Sequence, residues 1–183
     1  PAAALLPAAA PREEPAAGSQ VGAWRVLAPI GRGGMGEVYL AERADGAYEQ
    51  QVALKLLHPD AVGLLGRFLA ERRILARLVH PGIARFHDAG VDAGGRPYMA
   101  LEYVDGSPIV EWCRRRGSPL HARLDLFMQA CDAVAYAHQN LVVHRDLNPA
   151  NITVGADGRV RLPDSGVATL LSAFEKLLDA GHS

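Results

Sequence analysis

A run of glycines followed by alternating residues, where a helix could have followed instead, sets the first constraint on this chain. Ile30-Gly31-Arg32-Gly33-Gly34-Met35-Gly36-Glu37-Val38-Tyr39 reads GxGxxGxV. Residues without a Cβ let the backbone turn tightly and bring its amides against phosphate oxygens. Doubly wound dinucleotide-binding folds carry a similar spacing, but there a helix starts directly after the glycines. Here Glu37-Val38-Tyr39-Leu40-Ala41-Glu42 alternates with period two, Ala44-Asp45-Gly46-Ala47 turns, and Val52, Leu54 and Leu56 alternate again. The glycines therefore form the tip of a hairpin, and a dinucleotide-dependent enzyme is disfavoured.

The hairpin sits in a lobe that reads as small and sheet-rich. Trp24 opens strand-like sequence, and Val52-Ala53-Leu54-Lys55 places a lysine on the third strand, which in isolation reads as a surface residue. From about Ala61 to Val79, Leu64, Phe68, Leu75, Leu78 and Val79 recur at helical spacing. Glu71 falls within that apolar stripe, where a carboxylate is costly unless paired, and Lys55 is the obvious partner; the alternative is that Glu71 reaches solvent at the border of the stripe. Arg72, Arg73 and Arg77 lie toward the solvated side. His80-Pro81 ends the helix, because the residue before a proline disfavours helical geometry. Ile83 to Asp92, a turn at Ala93-Gly94-Gly95-Arg96, and Tyr98 to Val104 read as a further hairpin.

The remainder reads as mainly helical. Ser107-Pro108 and Ser118-Pro119 each pair a cap residue with a first-turn proline and should each open a helix. Arg114-Arg115-Arg116 near the end of the first suits the helix dipole. The second, running to about Gln139, is expected to bury Leu124, Phe127, Cys131, Val134 and Ala135. It leads into His144-Arg145-Asp146-Leu147-Asn148-Pro149-Ala150-Asn151, a polar loop between Leu141-Val142-Val143 and Ile152-Thr153-Val154, both strand-like. Such polar residues most simply cap backbone amides in a turn. Gly155-Ala156-Asp157-Gly158 turns between short strands, and Asp164-Ser165-Gly166 follows.

Glycine hairpin, strand lysine, helix glutamate and the His-Arg-Asp loop, with Asn151 five places after Asp146, occur in the order found in protein kinases. From about Val21 to Ala168 the chain resembles a bacterial eukaryotic-like (Hanks-type) Ser/Thr protein kinase. The resemblance implies an α+β, kinase-like fold: residues 1–20 an Ala/Pro-rich linker, 21–104 an antiparallel N-lobe with one helix and the hinge, and 105–183 the first part of a mainly helical C-lobe. It implies ATP-dependent phosphoryl transfer to a protein hydroxyl, with ATP and magnesium bound. Gly31, Gly33, Gly36 and Lys55 would hold phosphates, with Glu71 pairing Lys55. Val38 and Ala53 would roof the adenine, Thr153 would lie beneath it, and Leu101 would stand at the back of the pocket. The hinge backbone at Glu102-Tyr103-Val104 would contact the ring. Asp146 would accept the hydroxyl proton, while Asn151 and Asp164 would ligate the metal.

Four positions depart from the family pattern. Asn148 stands where a lysine neutralises the transferring group, Thr153 where an aliphatic side chain is usual, Pro163 before the metal-binding Asp, and Ser165 in place of Phe. After Gly166 no Ala-Pro-Glu follows; Leu170, Leu171, Phe174, Leu177 and Leu178 suggest a short amphipathic helix. The chain is accordingly expected to be poorly active as it stands. The alternative is a pseudokinase that holds nucleotide or a partner without catalysis. Without the later helices of the family, the apolar face of the Leu124-to-Ala135 helix is also expected to be exposed, favouring aggregation or a partner that covers it.

With 183 residues beginning at Pro1, the chain is expected to be a fragment or a processed product. Pro7 and Pro11 interrupt the opening apolar residues, and no basic region precedes them, which disfavours a signal peptide. A net charge of −1 without asymmetry gives no sign of nucleic acid binding. No run approaches the ~20 apolar residues of a membrane span. The two cysteines, Cys113 and Cys131, have no CxxC partner and read as reduced, buried or half-buried thiols in a cytoplasmic setting. A protein substrate is implied, with no feature naming it.

Overall fold

The computed structural model describes residues 15–33, 36–47, 49–57, 78–140, 142 and 147–163. Its first half is an antiparallel sheet built from β1 (Gln20–Val21), β2 (Trp24–Gly33), β3 (Gly36–Arg43), β4 (Gln51–Leu57), β5 (Phe86–Val91) and β6 (Pro97–Glu102), in the order β1-β2-β3-β4-β6-β5. The hairpin expected at the glycines is β2–β3, paired to Gly33↔Gly36. Pro29, which cannot donate a ladder hydrogen bond, lies at a register shift of β2, beyond the short pairing with β1. Gln20, placed in the linker by composition, already pairs with Arg25, and the Gly18 N–H donates to the Val26 carbonyl at 2.8 Å.

Alternation gives this sheet two different faces. On the outer face Val21, Trp24, Val26, Tyr39, Ala41, Val52, Leu54, Leu56, Tyr98 and Ala100 close on one another as a core of their own. On the inner face Met99 and Leu101 join a second core with Leu126, Ala130, Ala133, Val142, Ile152, Val154 and Leu162 from the second half of the chain. That second half contains β7 (Gly106–Pro108), α1 (Ile109–Arg115), α2 (Leu120–Gln139), a 3₁₀ turn (Pro149–Asn151), β8 (Thr153–Gly155) and β9 (Val160–Arg161), with sheet order β7-β8-β9. Of the expected strand before the polar loop, Val142 is described: it is buried but belongs to no strand. Leu78 and Val79 are described and are not helical; residues 58–77, including the rest of the expected N-lobe helix, lie outside the described residues.

The two halves are clasped through residues 78–85. Leu162 and Ile83 form a parallel bridge, with the Leu162 N–H donating to the Gly82 carbonyl (2.9 Å) and the Ala84 N–H to the Leu162 carbonyl (3.1 Å). His80 stacks on Tyr136 of α2, ring centroids 4.9 Å apart, and its Nε2 lies 3.2 Å from the Asp132 carboxylate.

Both helices begin where Ser-Pro pairs announced them, but with a shift in role. Pro108 and Pro119 occupy the cap positions themselves, and neither helix has a side-chain cap. Ser107 is instead a buried residue of β7 whose hydroxyl accepts from Arg115 Nη2 at 2.7 Å. Arg116 lies over the Trp112 ring, 4.1 Å from its centroid, so the arginine run has structural partners.

The buried face of α2 corrects the sequence expectation. Leu126, Ala130, Ala133 and Ala137 are buried; Val134 is half-buried, while Leu124, Phe127, Cys131 and Ala135 are exposed. The helix has two apolar stripes, and the one rich in alanine packs inward because small side chains permit close approach to β9. There the Gln129 side-chain oxygen accepts from the Val160 N–H at 3.1 Å. Cys131 is thus an exposed thiol, whereas Cys113 is buried as expected. Phe127, 58% exposed, lines a groove of about 710 Å³ with Ile109, Val110, Cys113, Leu147 and Ile152. Exposed apolar patches drive association. Phe127→Glu is therefore expected to lower self-association of the 183-residue chain with little change in melting temperature; sedimentation that is unaltered by the substitution would contradict this.

Candidate active site

The inner sheet face is assembled by cross-strand register. Val38 pairs with Lys55, Lys55 with Met99, Leu40 with Ala53, and Ala53 with Leu101. Paired residues point to the same side of an antiparallel sheet. Val38, Ala53, Lys55 and Leu101, which the sequence had nominated separately, therefore share one face, with Gly31 opposite Val38. Lys55 is only 7% exposed, a buried cation at the edge of an otherwise apolar surface of valine, alanine, leucine and methionine. An ammonium in such a place is stabilised by an anion, either a side chain or a ligand.

Gly36 is required by close approach. Its φ is +148°, and a Cβ there would lie 2.0 Å from the Leu56 carbonyl oxygen. The glycine hairpin thereby comes against β4, the strand that carries Lys55. Bare glycine backbone on strands neighbouring a buried cation is chemistry that fits a phosphate chain.

Glu37, one residue on, points to the outer face. Its carboxylate accepts from Arg96 Nη2 (2.9 Å), Arg32 Nη2 (2.7 Å) and the Tyr39 hydroxyl (3.1 Å). The Arg96 hydrogen bond, above all, holds its pKa down to about 2. Sequence reasoning missed this cluster, since nothing local marks Arg96 as anything but a turn residue.

At the expected hinge, Glu102, Tyr103 and Val104 are half-buried. The Glu102 N–H donates to the Arg85 carbonyl at 2.7 Å, and its carboxylate accepts from the Arg85 N–H at 3.1 Å. Its side chain and its N–H thus serve the 78–85 loop, leaving the remaining backbone groups of 102–104 as what this segment can offer a ligand.

Across from the sheet, Asn148 has a definite local task. Its side-chain oxygen accepts from the N–H groups of Ala150 (2.9 Å) and Asn151 (3.3 Å), capping the 3₁₀ turn that Pro149 opens. Asn-Pro is itself a cap signature that could have been read from the sequence. A lysine here could not accept those bonds. The cap holds Asn151 at the end of the turn, half-buried, next to buried Ile152 and half-buried Thr153 on β8.

Asp146, Glu71 and Asp164 lie outside the described residues, as do His144, the Lys55–Glu71 pair and residues 164–183. Asn151 is the expected metal ligand that is described. Among the described residues no cluster of three His, Cys, Asp or Glu side chains occurs, and no helix is long and apolar enough to cross a membrane.

The family model for the protein kinase domain matches residues 24–180. The chain is 38% identical over 157 residues to the serine/threonine-protein kinase PrkC of Bacillus subtilis, covering 83% of this chain and 24% of that protein. It is 35% identical to PknB of Mycobacterium leprae, covering 78% of this chain and 24% of that protein. The chain thus spans about a quarter of the length of these curated relatives. Among solved structures, the kinase domain of Mycobacterium tuberculosis PknI superposes with a TM-score of 0.70 at 33% identity, covering 85% of this chain and 63% of that one.

Proposed function

Because the chain belongs to the protein kinase family, we propose that its inner sheet face holds ATP and that the protein containing it transfers the γ-phosphoryl group to a serine or threonine hydroxyl of another protein. The observation that carries the nucleotide half is the shared face: Gly31, Val38, Ala53, buried Lys55 and Leu101 stand in register, with the close-packed glycine hairpin beside them. Lys55 would bind the phosphates, Val38 and Ala53 would cover the base, and the backbone at 102–104 would read its edge. Asp146 would take the hydroxyl proton. Asn151 and Asp164 would hold magnesium, which when bound neutralises phosphate charge.

The present chain is read as a nucleotide binder whose transfer is weak. Phosphoryl transfer draws its acceleration from positioning and preorganised charge. Asn148 caps a turn where the family pattern has a cation, and loss of one such stabilising group costs on the order of 10²–10³ in rate. Ser165 is too small to fill the place of a Phe. These departures also favour the second reading, a pseudokinase acting as a nucleotide- or partner-binding module.

Transfer of labelled phosphate to a generic protein acceptor, by the chain and by its Asp146→Ala variant, tests whether these 183 residues catalyse the reaction. The expected result is equal, background incorporation by both. Incorporation that vanishes in Asp146→Ala would instead establish a working kinase in these 183 residues.

A further inference from the structure

The Glu37–Arg96 contact connects two hairpins that are remote in sequence, 59 residues apart. Arg96 sits in the turn between β5 and β6, and that turn is tightly determined. The Asp92 carboxylate accepts from the N–H groups of Gly94 (2.8 Å) and Arg96 (2.7 Å), and Gly95 takes a φ of +79°. From this anchor the guanidinium reaches across the end of β4. Its Nε donates to the Leu57 carbonyl at 3.1 Å and its Nη2 to Glu37 at 2.9 Å. Leu57 is the cross-strand partner of Gly36, so one side chain grips both strands at the base of the glycine turn.

Both charged side chains are mostly withdrawn from solvent, at 13% and 15% exposure, where screening is weak. This same contact holds the Glu37 pKa down to about 2. Along β3, Glu37 points outward while Val38 points inward beside Lys55. Fixing the outward residue therefore fixes the height and twist of its inward neighbours, Gly36 and Val38, on the opposite face.

We propose that Arg96, acting through Glu37 and Leu57, is a positioning residue that holds the glycine hairpin at a set distance over Lys55 and so prepares it for the phosphates of a nucleotide. Arg96 does not touch the ligand; it lowers the ordering cost the hairpin would otherwise meet on binding. The inference rests on the nucleotide reading above, and its test separates the two.

The experiment uses the 183-residue chain and the variants Arg96→Met, Arg96→Lys and Glu37→Gln. For each, affinity is measured for ATP and for adenosine, which lacks the phosphates, and amide hydrogen exchange is followed over residues 33–38. Arg96→Met is expected to weaken ATP binding about tenfold, to leave adenosine affinity within about twofold, and to speed exchange at 33–38. Arg96→Lys, which keeps the charge but lacks the fixed fork of guanidinium donors, should fall between. Glu37→Gln combined with Arg96→Met should lose less than the sum of the two single changes, since the Glu37–Arg96 contact is common to both. Parallel loss of ATP and adenosine affinity would show general loosening and overturn the proposal, as would ATP affinity and exchange rates that do not change. If the unaltered chain binds neither ligand, the nucleotide reading fails with any role in nucleotide binding, and exchange alone decides the tether: faster in Arg96→Met supports it, unchanged overturns it.

Discussion

Lys55→Met is expected to reduce ATP affinity at least a hundredfold while leaving the chain folded. Lys55 is 7% exposed on the inner sheet face, flanked in register by Val38 and Met99. Methionine keeps most of the length and the apolar stem of the lysine, so the packing against those neighbours survives. What is lost is the cation. Hydrogen bonds to charged groups contribute about 1.5–3 kcal/mol each, so two contacts to adjacent phosphates together amount to roughly two decades or more in affinity. Titration with ATP, with and without magnesium, alongside thermal melting of both proteins, gives the comparison. ATP affinity within threefold of the parent chain would remove Lys55 from the site.

Gly36→Val is expected to be the most damaging single change in the N-lobe. At φ +148° a Cβ lies 2.0 Å from the Leu56 carbonyl oxygen and 2.9 Å from its carbon, both backbone atoms held in the β3–β4 ladder. No rotamer can relieve a backbone clash. Either the hairpin lifts from β4, breaking the Gly36↔Leu57 pairing, or the strand distorts. Strain of this kind costs about 1–3 kcal/mol even before lost packing is added, so a total of about 3 kcal/mol or more is expected. Gly46→Ala supplies the contrast. It too has positive φ, +64°, but nothing within 4 Å of its Cβ, so only the backbone preference of about 1–2 kcal/mol applies. Urea denaturation of the two variants should show Gly36→Val clearly the less stable. Equal midpoints would mean that the hairpin does not lie against β4 as described.

Groups that the sequence could nominate were joined by register. Val38, Ala53, Lys55 and Leu101 are each legible from strand motifs, but that they share a face follows from the pairings Val38↔Lys55 and Ala53↔Leu101, the second between strands remote in sequence. The Asn148 cap was legible in kind, as Asn before Pro in a loop whose polar residues most simply cap backbone amides, but which amides it takes is decided by the 3₁₀ turn. Arg96 was not legible at all, because its partner Glu37 lies in another hairpin and only the sheet order brings them together.

By itself the sequence determined the local elements: a glycine turn followed by a strand, a lysine on the next strand, a second hairpin, and two helices opening at Ser-Pro. These follow from period, turn chemistry and the steric effects of glycine and proline, all of which act within a few residues. Tertiary structure alone decided which stripe of α2 goes inside. Leu126, Ala130, Ala133 and Ala137 pack inward while Leu124 and Phe127 remain at the surface, although the larger side chains have more apolar area to bury. Periodicity reports that a helix has apolar faces but not what approaches them, and here the 78–85 loop comes close at Ala133, on a stripe of mostly small side chains. The same holds for the charge on Glu37, whose stabilisation comes from an arginine delivered by the fold and withdrawn with it from water.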